Sequence, residues 1–233
     1  MSDRVVTCLA SVDSTNLFVR REFLAGRLTG EGVIMAVRQF AGMGTHGRTW
    51  VSDHALGLWA TWYFIPSAAP LFPLLARVSL SLCRCLLKKG IQASVKWPND
   101  VVVGRRKICG ILAERIRDAA WIGFGVNLNQ QVTDFPPELR EKATSYRMES
   151  EQKIRPDLFL QKILEEADNL PVEETSLMSL YRAQLAGYGE SLLLDQEPIL
   201  LEGVEPDGTL LARHSDGNVR KHVSGTLEWR ENG

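Results

Sequence analysis

The sequence predicts an α+β fold: a mixed β-sheet flanked by helices, with a small all-β module at the C-terminal end. Three observations lead there. Short apolar, β-branched segments alternate with amphipathic helical patterns over residues 1–186. A Gly104-Arg105-Arg106 turn joins two extended runs as a hairpin. From Gly187 the texture changes to brief β-like runs separated by Glu-Pro, Asp-Gly and Asp-Gly-Asn turns.

The elements follow in order. Residues 4–10 read as a strand, and residues 17–24 as a helix that Asp13 or Ser14 is placed to cap. Residues 32–38 and 58–65 are apolar enough for buried strands. Pro73 opens a helix with Leu74, Leu75, Val78, Leu82, Cys85 and Leu86 on one face. A strand starting at Val95 breaks at Pro98, extended structure resumes over 101–103, and 107–115 is its hairpin partner. Residues 121–127 form another apolar strand, and helices are expected over 156–169 and 176–186. The polar stretch 135–153 reads as a surface loop. Runs at 191–194, 199–204, 209–213 and 219–223 suggest a barrel-like module too small to be stable without its neighbour. The expected division is therefore 1–186 and 187–233.

Composition narrows the function. The 233 residues are 45% hydrophobic and 24% charged, which suits an ordinary soluble core. A net charge of −1 gives no global electrostatic case for nucleic-acid binding. There is no run of 18 apolar residues and no basic-then-apolar leader, which points away from membrane insertion and secretion. Cys8, Cys83, Cys85 and Cys109 show neither a disulfide framework nor zinc-ligand spacing. They read as small buried hydrophobes of a reducing compartment, so a cytoplasmic location is expected.

The chemistry concentrates in a few segments. Asp13-Ser-Thr-Asn16 clusters hydroxyl and amide groups able to hydrogen-bond a small polar head group, although a helix cap alone would also explain it. Gln39-Phe-Ala-Gly-Met-Gly-Thr-His-Gly-Arg-Thr-Trp50 has almost nothing to bury. Its glycines let the backbone approach a ligand and offer amide donors; Arg48 offers a fork to phosphate and Trp50 a stacking face. Such a segment is expected to order when its ligand arrives, and His46 within it reads as solvated surface. In Lys96-Trp-Pro-Asn-Asp100, Pro98 removes a ladder donor and should turn Asn99 and Asp100 out of the sheet. Asp100 could then bind a divalent ion or pair with Lys96. Lys107 precedes the apolar run Ile108-Cys-Gly-Ile-Leu-Ala113, so it should be partly desolvated and aimed at an anion, with Gly110 keeping the strand surface open for something flat. Gly125-Val-Asn127 ends a buried strand, where ligand sites in mixed sheets are common.

In this order over residues 9–129 the motifs resemble those of biotin–protein ligases. The matching residues are Asp13-Ser-Thr-Asn16, Gln39-x-Ala-Gly-x-Gly-x-x-Gly-Arg-x-Trp50, Lys96-Trp-Pro-Asn-Asp100, Lys107-x-x-Gly-Ile-Leu-x-Glu114 and Gly125-Val-Asn127. The resemblance implies a class II aminoacyl-tRNA synthetase-like catalytic domain and an SH3-like C-terminal barrel. It also implies a two-step reaction. Biotin and ATP, with Mg²⁺, give biotinyl-5′-AMP and pyrophosphate; a lysine of a biotin carboxyl carrier protein then takes the biotin.

Carried over by position, Ser14, Thr15, Asn16 and Gln39 would meet the ureido ring, with Gly42, Met43, Gly44, Thr45 and Gly110 lining the biotin site. Lys107 would bridge biotin's carboxyl and the α-phosphate as the first-choice catalytic residue, assisted by Lys96 and Asp100, the latter as the Mg²⁺ ligand. Arg48, Lys96, Trp50, Asn99 and Asn127 would bind ATP. One departure stands out: Met43 and Thr45 occupy positions where the family usually has arginines, so weak retention of the adenylate, or an altered or lost activity, is expected. With no helix-turn-helix segment before Arg4, no operator DNA partner is expected, nor a membrane; the protein would be a monomer or homodimer. The alternatives are a catalytically impaired biotin or adenylate binder, and a lipoate or octanoate transferase of the same fold. The chain lacks the latter's Arg-Arg-x-x-Gly-Gly-Gly-Ala stretch.

Overall fold

The computed structural model describes residues 4–230. The first part comprises β1 (Val5–Leu9), α1 (Thr15–Leu24), β2 (Gly30–Ala36), β3 (Gly57–Ile65), α2 (Leu71–Leu87), β4 (Ala93–Lys96), β5 (Asp100–Val103), β6 (Arg106–Ile116) and β7 (Ala119–Asn127). These strands make one seven-stranded sheet in the order β1-β2-β3-β7-β6-β5-β4. Only β1 and β2 run parallel; every other pair is antiparallel. Helices α3 (Tyr146–Ser150), α4 (Pro156–Asp168) and α5 (Glu174–Ala183) follow. A five-stranded antiparallel sheet closes the chain: β8 (Ser191–Leu194), β9 (Glu197–Val204), β10 (Leu210–His214), β11 (Val219–His222) and β12 (Leu227–Trp229), ordered β11-β10-β9-β8-β12. A mixed sheet flanked by helices, with a smaller β unit behind it, is the predicted class.

Alternation along β3 separates the two faces of the large sheet. Leu58, Ala60 and Trp62 enter the main core with residues of α2, α4 and α5. Tyr63 packs instead with Val19 of α1 and Trp121 of β7. The main core also holds Leu192, Leu194, Ile199, Leu201 and Leu210, so apolar packing is continuous into the second sheet. Trp97, at the β4–β5 turn, donates from Nε1 to Gly208 O at 2.8 Å and anchors the same seam.

Several expectations need correction. Helix α2 begins two residues before Pro73, because a proline in the first turn has no N–H that the helix would use. Helix α5 ends at Ala183, and the following residues bond to Val95 through Val95 N to Gln184 O and Ala186 N to Val95 O. Residues 135–153 are not merely a surface loop: Ala143, Thr144, Ser145 and Tyr146 are buried, and Ser145 caps α3 by accepting from Met148 N. Lys107 N to Lys142 O and Thr144 N to Lys107 O stitch this segment to β6, and the buried Thr144 and Ser145 hydroxyls have partners in Glu149 and Gln130 O. Strand β12 went unread. Cys8 is exposed because β1 is an edge strand, whereas Cys83, Cys85 and Cys109 are buried as expected, with burial pushing the Cys83 and Cys85 thiols up to about 12.

Candidate active site

Register builds the site. Lys96 pairs with Asp100, Asp100 with Gly110, Gly110 with Gly125, and Gly125 with Trp59, so these residues form one transverse row on one face. Gly110 and Gly125 stand side by side in that row and leave a flat strip without Cβ atoms. The Trp50 indole lies on it. A Cβ on Gly110 would sit 2.8 Å from the indole, and one on Gly125 would overlap it. The next row toward α1 places Thr61 beside Gly123 and Gly123 beside Leu112. Gly123 likewise admits Asn16, whose side-chain oxygen would overlap any Cβ there. Glycines at alternate positions of β7 thus seat two different side chains, one from the glycine-rich loop and one from the first turn of α1.

Between these rows opens a cavity of about 460 Å³, part of it open to solvent. Ser14, Thr15, Asn16, Gln39, Met43, Gly44, Thr45, Trp50, Asn99, Lys107 and Gly110 line it. The structure therefore brings together most residues singled out in the sequence. Gly42, Arg48, Lys96, Asp100 and Asn127 do not line it. Gly42 is packed inside its own loop, where a Cβ would overlap Ser52 Oγ and Trp50 O. Arg48 is exposed. Asn127 donates from Nδ2 to Thr144 O at 3.0 Å and holds the buried segment after β7.

The head of the cavity departs from a simple helix cap. Ser14 has the extended backbone of an N-cap but its side chain makes no capping bond. Gln39 does that work from another loop: its Oε1 accepts from Thr15 N at 2.8 Å. Asp13 is occupied elsewhere, pairing with Arg21 at 2.5 Å. The buried Ser14 hydroxyl consequently faces the cavity with no hydrogen bond to another described residue.

The charged end is set by a β-bulge. Val101 pairs with Cys109 but Val102 pairs with Lys107, so β6 carries an extra residue, Ile108. A bulge re-aims the neighbouring side chain. Here a Cβ on Gly110 would sit 3.0 Å from the Lys107 Nζ, which also lies 2.6 Å from Asp100 Oδ1 and 5.1 Å from the Trp50 ring centroid. The Asp100 contact is close but ill-aligned, so Asp100 Oδ1 is buried without a hydrogen bond, as is Trp50 Nε1. Asp100 was expected to leave the sheet and either bind a divalent ion or pair with Lys96. Instead it opens β5 within the ladder and meets Lys107, because the bulge swings that lysine toward it.

Lys96 sits behind this pair with its Nζ 4.8 Å from the Trp229 ring centroid, on β12. Burial lowers its pKa, with the positive charges of Lys107 and Arg48 adding to the fall and Asp100 and Glu228 opposing it. Asn99 donates from Nδ2 to Ile111 O at 2.7 Å and accepts from Ile111 N at 2.9 Å, which fixes the turn against β6. The glycine-rich loop was expected to need a ligand for order. It is already folded back on itself through Trp50 N to Gly42 O at 2.9 Å and Gly44 N to Arg48 O at 2.7 Å. Phe40 and Met43 project from it, 72% and 41% exposed, so its outer surface remains uncovered. The side chain of His46 lies outside the described residues.

Sequence reasoning missed Thr61, Gly123 and any role for Glu114. A threonine in the otherwise apolar and aromatic run 58–65 and the Gly-x-Gly spacing at 123 and 125 were the available signals. Among the described residues no three His, Cys, Asp or Glu side chains converge on a metal-sized site.

A family model described as the biotin/lipoate A/B protein ligase family matches residues 8–129. The chain belongs to that family. It is 32% identical over 225 residues to the bifunctional ligase/repressor BirA of Bacillus subtilis, covering 88% of this chain and 68% of that protein. The BirA of Bacillus spizizenii is 32% identical over 208 residues, 76% of this chain and 63% of that protein. The chain thus spans only about two thirds of the length of these relatives. A structure of biotin protein ligase from Aquifex aeolicus in complex with biotin and ATP superposes with a TM-score of 0.83 at 26% identity, covering 97% of this chain and 99% of that one.

Proposed function

We propose that the chain is a biotin–[acetyl-CoA-carboxylase] ligase: it activates biotin with ATP to biotinyl-5′-AMP and passes biotin to a lysine of a biotin carboxyl carrier protein. The observation that carries this reading is the position of the Lys107 ammonium. It stands 34% exposed between the open, hydroxyl-lined cavity and the Asp100 carboxylate. A biotin with its ring among Ser14, Thr15 and Gln39 directs its carboxylate toward that ammonium. The carboxylate oxygen attacks the α-phosphorus, the bond to the β-phosphate oxygen breaks, and pyrophosphate leaves. The carrier's lysine amine then attacks the acyl carbon, AMP departs and the amine loses a proton. No enzyme nucleophile is required; fixed positive charge and positioning lower the barrier where charge accumulates on the phosphoryl oxygens.

The remaining assignments follow the same logic. Lys96 and Arg48 add positive charge on the phosphate side, Trp50 presents its indole face to the adenine, and Asn99 lies toward its edge, while Asn127 supports the site from behind through Thr144. Magnesium fits the donor chemistry: it needs only one or two carboxylates when phosphates supply its other oxygens, and Asp100 Oδ1 is a buried carboxylate oxygen without a hydrogen bond. Bound there with ATP, the ion would neutralise triphosphate charge. Residues 1–186 form the catalytic part and 187–233 the C-terminal module in this reading. No helix among the described residues is long and apolar enough to cross a membrane, in keeping with action on a soluble carrier.

Biotin-dependent release of pyrophosphate from ATP, followed by transfer of label to a carrier domain, tests the proposal. Absence of pyrophosphate release with intact biotin binding would instead establish the non-catalytic binder, a reading motivated by Met43 and Thr45.

A further inference from the structure

We infer that Glu114, Asn16 and Thr61 form a positioning relay that orients Thr15 and Gln39 toward the head group of the ligand, with Asn16 acting as scaffold and not as a ligand contact. The inference rests on the ligase reading above and adds residues it does not contain.

The chain of bonds can be followed from the sheet outward. Glu114 Oε2 accepts from Asn16 Nδ2 at 2.7 Å and from Trp121 Nε1 at 3.2 Å. An ionised carboxylate only accepts, so it fixes which end of the Asn16 amide is nitrogen. The second proton of that nitrogen goes to Leu112 O at 3.3 Å. Asn16 Oδ1 therefore points to Thr61, whose Oγ1 lies 2.6 Å from it and 2.8 Å from Thr15 Oγ1. A hydroxyl has one proton and a carbonyl oxygen can only accept. The Thr61 proton therefore goes to Asn16, and the Thr15 proton has two acceptors in reach, the Thr61 oxygen at 2.8 Å and Gln39 Oε1 at 3.1 Å.

At the outer end, Thr15 N donates to Gln39 Oε1, and Gln39 Nε2 donates to Ser52 Oγ at 3.1 Å. One orientation is thereby imposed on the Asn16 amide, the Thr61 hydroxyl and the Gln39 amide. Every polar atom of the Asn16 amide has a protein partner, and Thr61 is fully buried under Thr15. Gly123 lets Asn16 sit flat on β7 between its two partners. A chain ordered this way holds Thr15 and Gln39 in fixed positions, which is what discrimination of a cyclic urea from its analogues needs.

The experiment compares wild type with Thr61→Val, Thr61→Ser, Glu114→Leu and Glu114→Gln, reading biotin KM, ATP KM, kcat and thermal melting. Valine removes the hydroxyl at constant shape, and leucine removes the acceptor. Each should raise biotin KM about tenfold with ATP KM unchanged, while serine and glutamine, which keep the required oxygens, stay within about threefold of wild type. A merely structural role would lower melting and move neither KM selectively. Where valine or leucine does not fold, Glu114→Asp, which withdraws the carboxylate by one methylene, provides the same test. A biotin KM unchanged in the folded variants overturns the relay while the ligase reading stands. A wild-type protein that binds no biotin overturns both.

Discussion

The two ends of the cavity are built on opposite plans. At the head, Thr15, Asn16, Gln39 and Thr61 are tied into one hydrogen-bonded path, and the Ser14 hydroxyl, the Thr15 oxygen and one Gln39 amide proton face a guest. At the other end two lysines stand near one carboxylate, with Asp100 Oδ1 and Trp50 Nε1 buried and without hydrogen bonds. A neutral ring is recognised by groups already in place. A polyphosphate brings the negative charge that the other end lacks, and leaving the buried Trp50 Nε1 without an acceptor costs about 1–3 kcal/mol until a ligand supplies one.

The sharpest way to break this contrast is Lys107→Ala. Adenylate formation, followed by biotin-dependent ATP–pyrophosphate exchange, should fall about 100- to 1,000-fold, while biotin binding at the head end changes far less. Equal losses at both ends would erase the distinction. Next comes Thr45→Arg, which adds a cation to the charged end. A charged hydrogen bond of about 1.5–3 kcal/mol should slow release of biotinyl-AMP by about tenfold to a hundredfold. An unchanged off-rate would remove Met43 and Thr45 from the explanation.

Gly125→Ala probes the strip beneath Trp50. The new methyl group overlaps the indole, so Trp50 must shift, and ATP KM should rise about tenfold together with a change in tryptophan emission. The smallest effect concerns pH. Burial lowers the Lys96 pKa, so that lysine loses its charge before an ordinary lysine would as pH rises. The adenylation rate should begin to fall on the alkaline side below the usual lysine range, and Lys96→Arg should flatten that limb. The stability sign is opposite. The folded state binds fewer protons than the unfolded one between the lowered and the ordinary pKa, so stability rises with pH across that window.

The fold was legible because its strands and long helices carry plain periodicity, as in the apolar run of β3 and the one-sided face of α2. Many of the site residues were legible too, since glycines beside Arg48 and Trp50, or a lysine heading an apolar strand, have little purpose in a core. What escaped was relational. Nothing local says that Gln39 caps α1, because the bond spans 24 residues of sequence. The bulge at Ile108 that turns Lys107 toward Asp100 is a property of two strands paired out of step. Thr144 looked like loop polarity until its partners on β6 and β7 were in view, and Ser145 until its hydroxyl was seen donating to Gln130 O.

The bond from Trp97 to Gly208 has a bearing on how the molecule comes apart. The tip carrying Lys96 and Asp100 is bolted to the second sheet through an indole that is 1% exposed, and Phe72, which packs against Gly208, meets Tyr181 edge to face at 5.1 Å. Cleaving the chain near residue 187 would leave that indole wet and loosen the lysine it flanks. Heat should therefore melt both sheets in a single cooperative event, and ligand at the cavity should protect the far C-terminal strands from amide exchange.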